Sequence, residues 1–183
     1  MMIHFKNVRK QYGNKIALSI HELIIWEGES IGLVGNNGAG KTTLLSLMLD
    51  LIKATSGQVF SKDLAVHKSD HWKSYTGSYL DEGFLISYLT PIEFLEFAAA
   101  LHGYNKVQVA QFLSEATDFF NESYWNVGYI RTLSAGNKAK VGILASLIIK
   151  PELIILDEPF AFLDPSSQAW LVKKLKALNA AGT

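Results

Sequence analysis

"GNNGAGKT" fills residues 35–42 and separates two segments of different periodicity. Before it, "SIGLVG" (30–35) is continuously apolar, which predicts a strand covered on both faces. After it, "KTTLLSLMLDLI" (41–52) has helical spacing, with Leu44, Leu47, Met48 and Leu51 on one stripe. The octapeptide matches G-x-x-x-x-G-K-[ST], a pattern whose chemistry requires a strand before it and a helix after it. Gly35, Gly38 and Gly40 let the backbone wrap closely around a phosphate, and the successive N–H groups of Asn36, Asn37 and Ala39 join theirs in an inward-facing nest. The following helix adds the positive end of its dipole at Lys41, Thr42 and Thr43. Lys41 supplies a mobile full charge for β- and γ-phosphates, and Thr42 a hydroxyl for Mg²⁺. A glycine-rich turn with an incidental lysine would explain the composition but not the flanking periodicities.

A second stretch, "LIILDEP" (153–159), complements the first. Four apolar residues deliver Asp157 to the carboxyl end of a strand, the edge at which α/β proteins bind ligands. A carboxylate there can hold Mg²⁺, usually with water completing the shell. Glu158 follows directly, so its side chain leaves the strand end in another direction and is placed to polarise an attacking water.

Bulk properties exclude several classes. The chain has 183 residues, 49% of them apolar, enough for one domain with a real core. Lys plus Arg equals Asp plus Glu at 17 each, so bulk charge gives no reason to expect nucleic acid as a partner. With no cysteine there is neither disulfide nor thiolate metal site. The opening "MMIHFKNVRKQYG" is polar and alternating, unlike a signal peptide, and "VGILASLII" is cut off by Lys140 and Lys150 before reaching membrane-spanning length.

The remaining pattern is an α/β alternation after a strand-rich start. Ile3 and Phe5 alternate with His4 and Lys6, "YGNK" signals a turn, and "IALSIHELIIWEGES" continues as strand to a turn at Glu27–Gly28. The chain returns to strands near Gly57, and "GSYLDEG" ends a second core strand. Thr90-Pro91-Ile92-Glu93 is a capping box with proline at the first helical position. Val109, Phe112, Leu113, Ala116 and Phe120 mark a further amphipathic helix, another helix follows residue 136, and Asp164 with Pro165 opens the last. The expected layout is a parallel-sheet core interrupted by a helical lobe over about residues 85–132. His67 and His71 have i, i+4 spacing, but without helical periodicity or the glutamate of H-E-x-x-H they read as surface residues, not zinc ligands.

"LSAGN" (133–137), placed just before an apolar helix and 23 residues ahead of Asp157 (157 − 134), adds what a plain cap would not need. With it the chain resembles the nucleotide-binding subunits of ATP-binding cassette (ABC) transporters. "GNNGAGKT" is similar to their Walker A, "LIILDE" to Walker B, "LSAGN" to the LSGGQ signature and "FLD" (162–164) to the D-loop. The resemblance implies a P-loop fold: a RecA-like parallel-sheet core, an N-terminal antiparallel β subdomain and an inserted helical subdomain. Its span is a single cassette over 1–183, with the β-rich start and phosphate loop in 1–84, the helical part in about 85–132, and signature helix, Walker B and D-loop in 133–183. It also implies ATP and Mg²⁺ as cofactors, with Glu158 and Lys41 catalytic. Ser134 and Gly136 would close on the ATP held by a second nucleotide-binding subunit, the same chain or a relative. Transmembrane permease subunits would be the other partners and would hold the chain at the inner face of the cell membrane. "SYLTPIEFLEFAAALHG" (87–103) is similar to subunits of exporters with separate membrane domains.

The chain also departs from the family pattern. Ala135 replaces the first signature glycine, so a backbone needing φ > 0 there would be strained. Asn137 replaces glutamine, and Lys140 stands where many members carry arginine. Tyr12 matches the aromatic that stacks on adenine. Glu82 aligns with the Q-loop glutamine, a Mg²⁺ ligand, and Asp81 takes that place if the register shifts by one. Phe84, Leu85, Ile86, Tyr88 and Leu89 match the segment bordering the groove that receives the membrane subunit. A rival reading, a soluble ABC ATPase acting on nucleic acid or ribosomes, lacks the long coiled coil or second cassette of such relatives. None of the five histidines follows Walker B, so the family's switch histidine and the strand before it are expected beyond Thr183, in a longer natural chain.

Overall fold

The structure, a computed structural model, describes residues 1–121, 123 and 128–183, which divide into two compact units. The first holds Met1–Ser74 and Asn179–Thr183, the second Tyr75–Leu178.

In the first unit, β1 (Ile3–Tyr12) and β2 (Lys15–Ile25) form an antiparallel hairpin, with Ile3 opposite Ile25 and Tyr12 opposite Lys15. The turn is the expected one at Gly13, where φ is 55°. β3 (Ser56–Ser61) pairs with the other edge of β1, and the short β4 (Leu64–Ala65) closes the order β2-β1-β3-β4. The alternation that buries Ile3 and Phe5 would bury Asn7 next, yet Val8 is buried instead. The register shifts between Lys6 and Arg9, and Asn7 takes a φ of 50°, a bulge that moves the inward position on by one residue. Gly57 (φ 78°) faces the Asn7 carbonyl so closely that no side chain would fit. Helix α1 (Lys41–Met48) buries Leu44, Leu45, Leu47 and Met48. Leu51 departs from the expected stripe because the helix has ended, and its side chain is exposed.

The larger departure is "SIGLVG". Residues 30–35 form no strand, and Ile31, Leu33 and Val34 are exposed, Val34 at 99%. A continuously apolar strand is stable only with a ladder neighbour, and among the described residues neither sheet supplies one for this segment.

In the second unit, β5 (Thr76–Tyr79) and β6 (Leu153–Leu156) run parallel, Thr76 opposite Leu153 and Tyr79 opposite Leu156. Helix α4 (Ala135–Ile148) lies on β5 at close range. Its Gly142 takes the Tyr79 ring where a side chain would be, and Gly77 of β5 does the same for the Ser146 carbonyl. Helix α2 (Pro91–Ala100) starts at the expected capping box, with Thr90 Oγ1 accepting from the Glu93 amide and Glu93 accepting from that of Thr90. Helix α3 (Lys106–Ser114) ends before Ala116 and Phe120, but the turns beyond it still bury both. Phe94, Leu95, Val109, Leu113, Phe119 and Ile130 share one core with Val141, Ile143, Leu144 and Leu171. Described residues of 85–130 thus share a core with α4 and α5 (Pro165–Ala180).

Asp164 opens α5 and also reaches α4. Its carboxylate accepts from the Ser167 amide (2.9 Å), the hydroxyls of Ser166 (2.6 Å) and Ser167 (2.8 Å), and Lys140 Nζ (2.7 Å). The Lys140 ammonium first, then these hydrogen bonds, hold the carboxyl far below its ordinary 3.8. A depressed folded value means that its stabilisation is complete above about pH 4 and lost as pH falls below that. Asp164→Ala is expected to lower Tm by about 2–6 °C at pH 7, from loss of the cap and the ion pair. The deficit should shrink in a calorimetric series run toward pH 2.

Candidate functional site

In the first unit the site is the loop 35–40 and the start of α1. Gly40 caps α1 in the left-handed region (φ 94°, ψ 10°), and a Cβ there would stand 2.6 Å from the Ala17 carbonyl oxygen of β2. Only glycine meets both conditions, so the loop is seated on the hairpin by backbone contact. Gly38 is also left-handed (φ 81°), and the Ala39 amide donates to Asn36 O (3.1 Å), closing a turn inside the loop. Lys41 Nζ donates to Gly35 O (2.8 Å) and Asn36 O (3.3 Å), which folds the ammonium across the loop. The Leu44 amide donates to Gly40 O (2.9 Å), which ties the end of the loop into the first turn of α1. The loop is exposed, runs into a helix N-terminus and carries one ammonium, a combination that suits a polyphosphate. Tyr12 ends β1 with its ring 52% exposed, and Lys10 Nζ lies 4.7 Å from the ring centroid.

The second unit carries Asp157, Glu158 and the turn at Ser134. The Asp157 amide donates to Tyr79 O (2.9 Å), which prolongs the parallel ladder one residue past β6 and fixes Asp157 at its carboxyl end. Glu158 then takes a left-handed backbone (φ 44°), a conformation costing a non-glycine residue on the order of 1 kcal/mol, while its carbonyl accepts from the Ala161 amide (3.0 Å). Asp157 is partly buried and Glu158 is exposed.

Ser134 is the N-cap of α4, its Oγ accepting from the Asn137 amide (3.3 Å) and its carbonyl from that of Lys138 (2.9 Å). The strain anticipated at Ala135 is absent: it is the first helical residue and has no positive φ. Gly136 has a neighbour that the sequence did not reveal. A Cβ there would meet the Phe162 carbonyl oxygen at 2.7 Å, so the loop before α5 lies directly against the signature turn. Of the two Q-loop candidates, Asp81 accepts from the Gly83 amide (2.6 Å) as a local cap, while Glu82 Oε2 reaches Lys138 Nζ at 3.0 Å. Sequence reasoning missed Lys138 altogether. Its one signal was a lysine in the first turn of a helix, where the dipole disfavours a cation and a partner is to be expected.

The two sets lie in different units. Tyr12, Gly35–Thr43 belong to the first, and Glu82, Ser134, Gly136, Asp157 and Glu158 to the second. Among the described residues no three His, Cys, Asp or Glu side chains gather into a metal cluster, and His67 and His71 lie in separate 3₁₀ turns, Val66–Lys68 and His71–Tyr75. A hydroxyl and single carboxylates are a donor set suited to Mg²⁺, which takes few protein ligands and completes its shell with water and phosphate oxygens.

Residues 18–161 match the family model described as ABC transporter. The chain is 31% identical over 182 residues to the linearmycin resistance ATP-binding protein LnrL of Bacillus subtilis (strain 168), covering 99% of this chain and 58% of that protein. It is 36% identical over 171 residues to the zinc import ATP-binding protein ZnuC of Rickettsia prowazekii (strain Madrid E), covering 91% and 66%. A solved dimeric post-hydrolysis state of the ATP-binding cassette MJ0796, bound to ADP and Pi, superposes with a TM-score of 0.84 at 27% identity, covering 99% of this chain and 84% of that one. The chain spans 50–58% of the length of the first curated relatives it matches.

The two loop glycines separate strain from collision. At Gly38 a Cβ meets nothing within 4 Å, whereas at Gly40 it meets backbone. Gly40→Ala is expected to weaken ATP binding tenfold or more, about 1.4 kcal/mol, and Gly38→Ala less, in a fluorescence titration with a labelled ATP.

Proposed function

The chain belongs to the ABC transporter family, and on that premise we propose that it is the ATP-binding and ATP-hydrolysing subunit of a membrane transporter. The observation that carries this reading is the glycine loop itself: it is seated by backbone contact on β2 and leads into the N-terminus of α1, with Lys41 folded across it. The proposed cassette is continuous over 1–183, with its helical portion in 85–132.

In this reading the amides of Gly35–Thr43 and the Lys41 ammonium grip the phosphates, and Tyr12 offers its ring to the adenine. Thr42 and Asp157 would hold Mg²⁺, which when bound draws negative charge from the phosphate oxygens. Glu158 accepts a proton from the water that attacks the terminal phosphorus, and the bridging oxygen departs on ADP. The left-handed turn at Glu158 supports this role, because strain of that kind persists where a side chain must be aimed. Ser134, with the N-terminal amides of α4 behind it and Gly136 beside it, contacts the terminal phosphate of ATP held by a second cassette. Closure of the pair on ATP, and its release after hydrolysis, drives the membrane subunits.

Membrane subunits are supported by a concavity of about 600 Å³ in the second unit, whose lining includes Phe84, Leu85, Ile86, Tyr88 and Arg131. Apolar surface in such a groove suits an incoming helix. No helix among the described residues is long and apolar enough to cross a membrane, so attachment at the inner face would run through those subunits. The relatives' names include both import and resistance. Export is the direction we favour, on the similarity of residues 87–103 to exporter subunits. A formal net charge of zero speaks against the nucleic-acid alternative.

Glu158→Gln is expected to keep ATP binding while lowering turnover by ~10²–10⁴, and to accumulate an ATP-bound dimer. Phosphate release and sedimentation with Mg²⁺ and ATP check it together. Equal turnover by the two proteins would remove Glu158 from the reaction.

A further inference from the structure

Glu82 and Lys138 join two elements that sequence reasoning treated separately. Glu82 opens a 3₁₀ turn, Glu82–Phe84, that Asp81 caps, and its carboxylate meets Lys138 Nζ at 3.0 Å. Lys138 lies in the first turn of α4, and its own amide donates to Ser134 O (2.9 Å). The Lys138 side chain is 22% exposed and that of Glu82 57%, so the lysine is partly buried and the carboxylate open to water. Both line the same concavity as Phe84, Tyr88, Ile130 and Arg131.

We propose that Glu82 is a positioning residue: its ion pair with Lys138 latches the wall of the concavity to the helix turn that presents Ser134. A glutamine at this position would offer Lys138 only a neutral acceptor, whereas the Glu82 carboxylate commits one of its oxygens to the ammonium. The pair also offsets the cost of a lysine near the positive end of the α4 dipole. A partner segment that enters the concavity with a charged side chain meets one half of the pair and so acts on the pose of Ser134. That last step rests on the proposed role of Ser134; the latch itself does not.

A charge reversal tests it in the full chain, with Glu82→Lys, Lys138→Glu, the double exchange, and the milder Glu82→Gln as a second way to remove the charge. The first readout needs no nucleotide: hydrogen exchange at the Asn137 and Lys138 amides, the two bonded to Ser134. Each single change should speed exchange by about 2–5-fold, as befits a partly exposed pair, and the double exchange should restore it. The second readout is Mn²⁺ affinity in the presence of ATP, by electron paramagnetic resonance, which should be unchanged in Glu82→Gln. Exchange rates that ignore the single changes, or that add in the double variant, would overturn the latch. Weaker Mn²⁺ binding in Glu82→Gln would overturn it too, in favour of a metal ligand. If the latch holds but ATP drives no dimer in the unaltered chain, the role given to Ser134 fails and the latch stands.

Discussion

Everything the second unit presents depends on how closely helix α4 lies on strand β5. Two glycines set that distance, Gly142 against the Tyr79 ring and Gly77 against the Ser146 carbonyl, and a side chain at either would force helix and strand apart. With the helix seated there, Val141, Ile143 and Leu144 are fully buried, each such side chain contributing about 1.5–3 kcal/mol. The same contact fixes both ends of the site. It sets where α4 begins, hence where Ser134 stands, and it fixes β5, whose Tyr79 carbonyl holds the amide of Asp157.

Charge on α4 follows from that seating. Lys138 and Lys140 both lie in its first two turns, where cations oppose the helix dipole. Each is matched by a carboxylate from another element, Glu82 and Asp164 respectively. The turn at Ser134 is therefore held from two sides, by Glu82 and by the cap of α5, and the Phe162 carbonyl packs against its Gly136.

Local chemistry was legible in the sequence. The Thr90 and Asp164 caps and the strand ahead of Asp157 each rest on residues within a few positions of one another and stand where they were expected, while the glycine loop has the helix expected after it but not the strand before it. Non-local facts were not legible. The bulge at Asn7 depends on β3 arriving from fifty residues away, and Ala135 escapes strain because the helix already includes it. "SIGLVG" failed as a strand for the same kind of reason, since apolar composition states what a strand would bury but not whether a neighbour is present to pair with it. Gly142 carried a faint signal, being a lone glycine in a helical apolar run, which points to a close packing contact without naming the partner.

The central claim is that Ser134 of one chain serves the nucleotide gripped by the loop of another. Sedimentation of a one-to-one mixture of Ser134→Arg and Lys41→Ala chains with Mg²⁺ and ATP tests it most directly. In the mixed pair one site keeps an intact loop opposite an intact Ser134, while no pair of identical variants keeps any. The account predicts an ATP-dependent dimer in the mixture that neither variant forms alone, with ATP binding by Ser134→Arg monomers unchanged. Loss of ATP binding by those monomers, or a mixture no more dimeric than its parents, would contradict it.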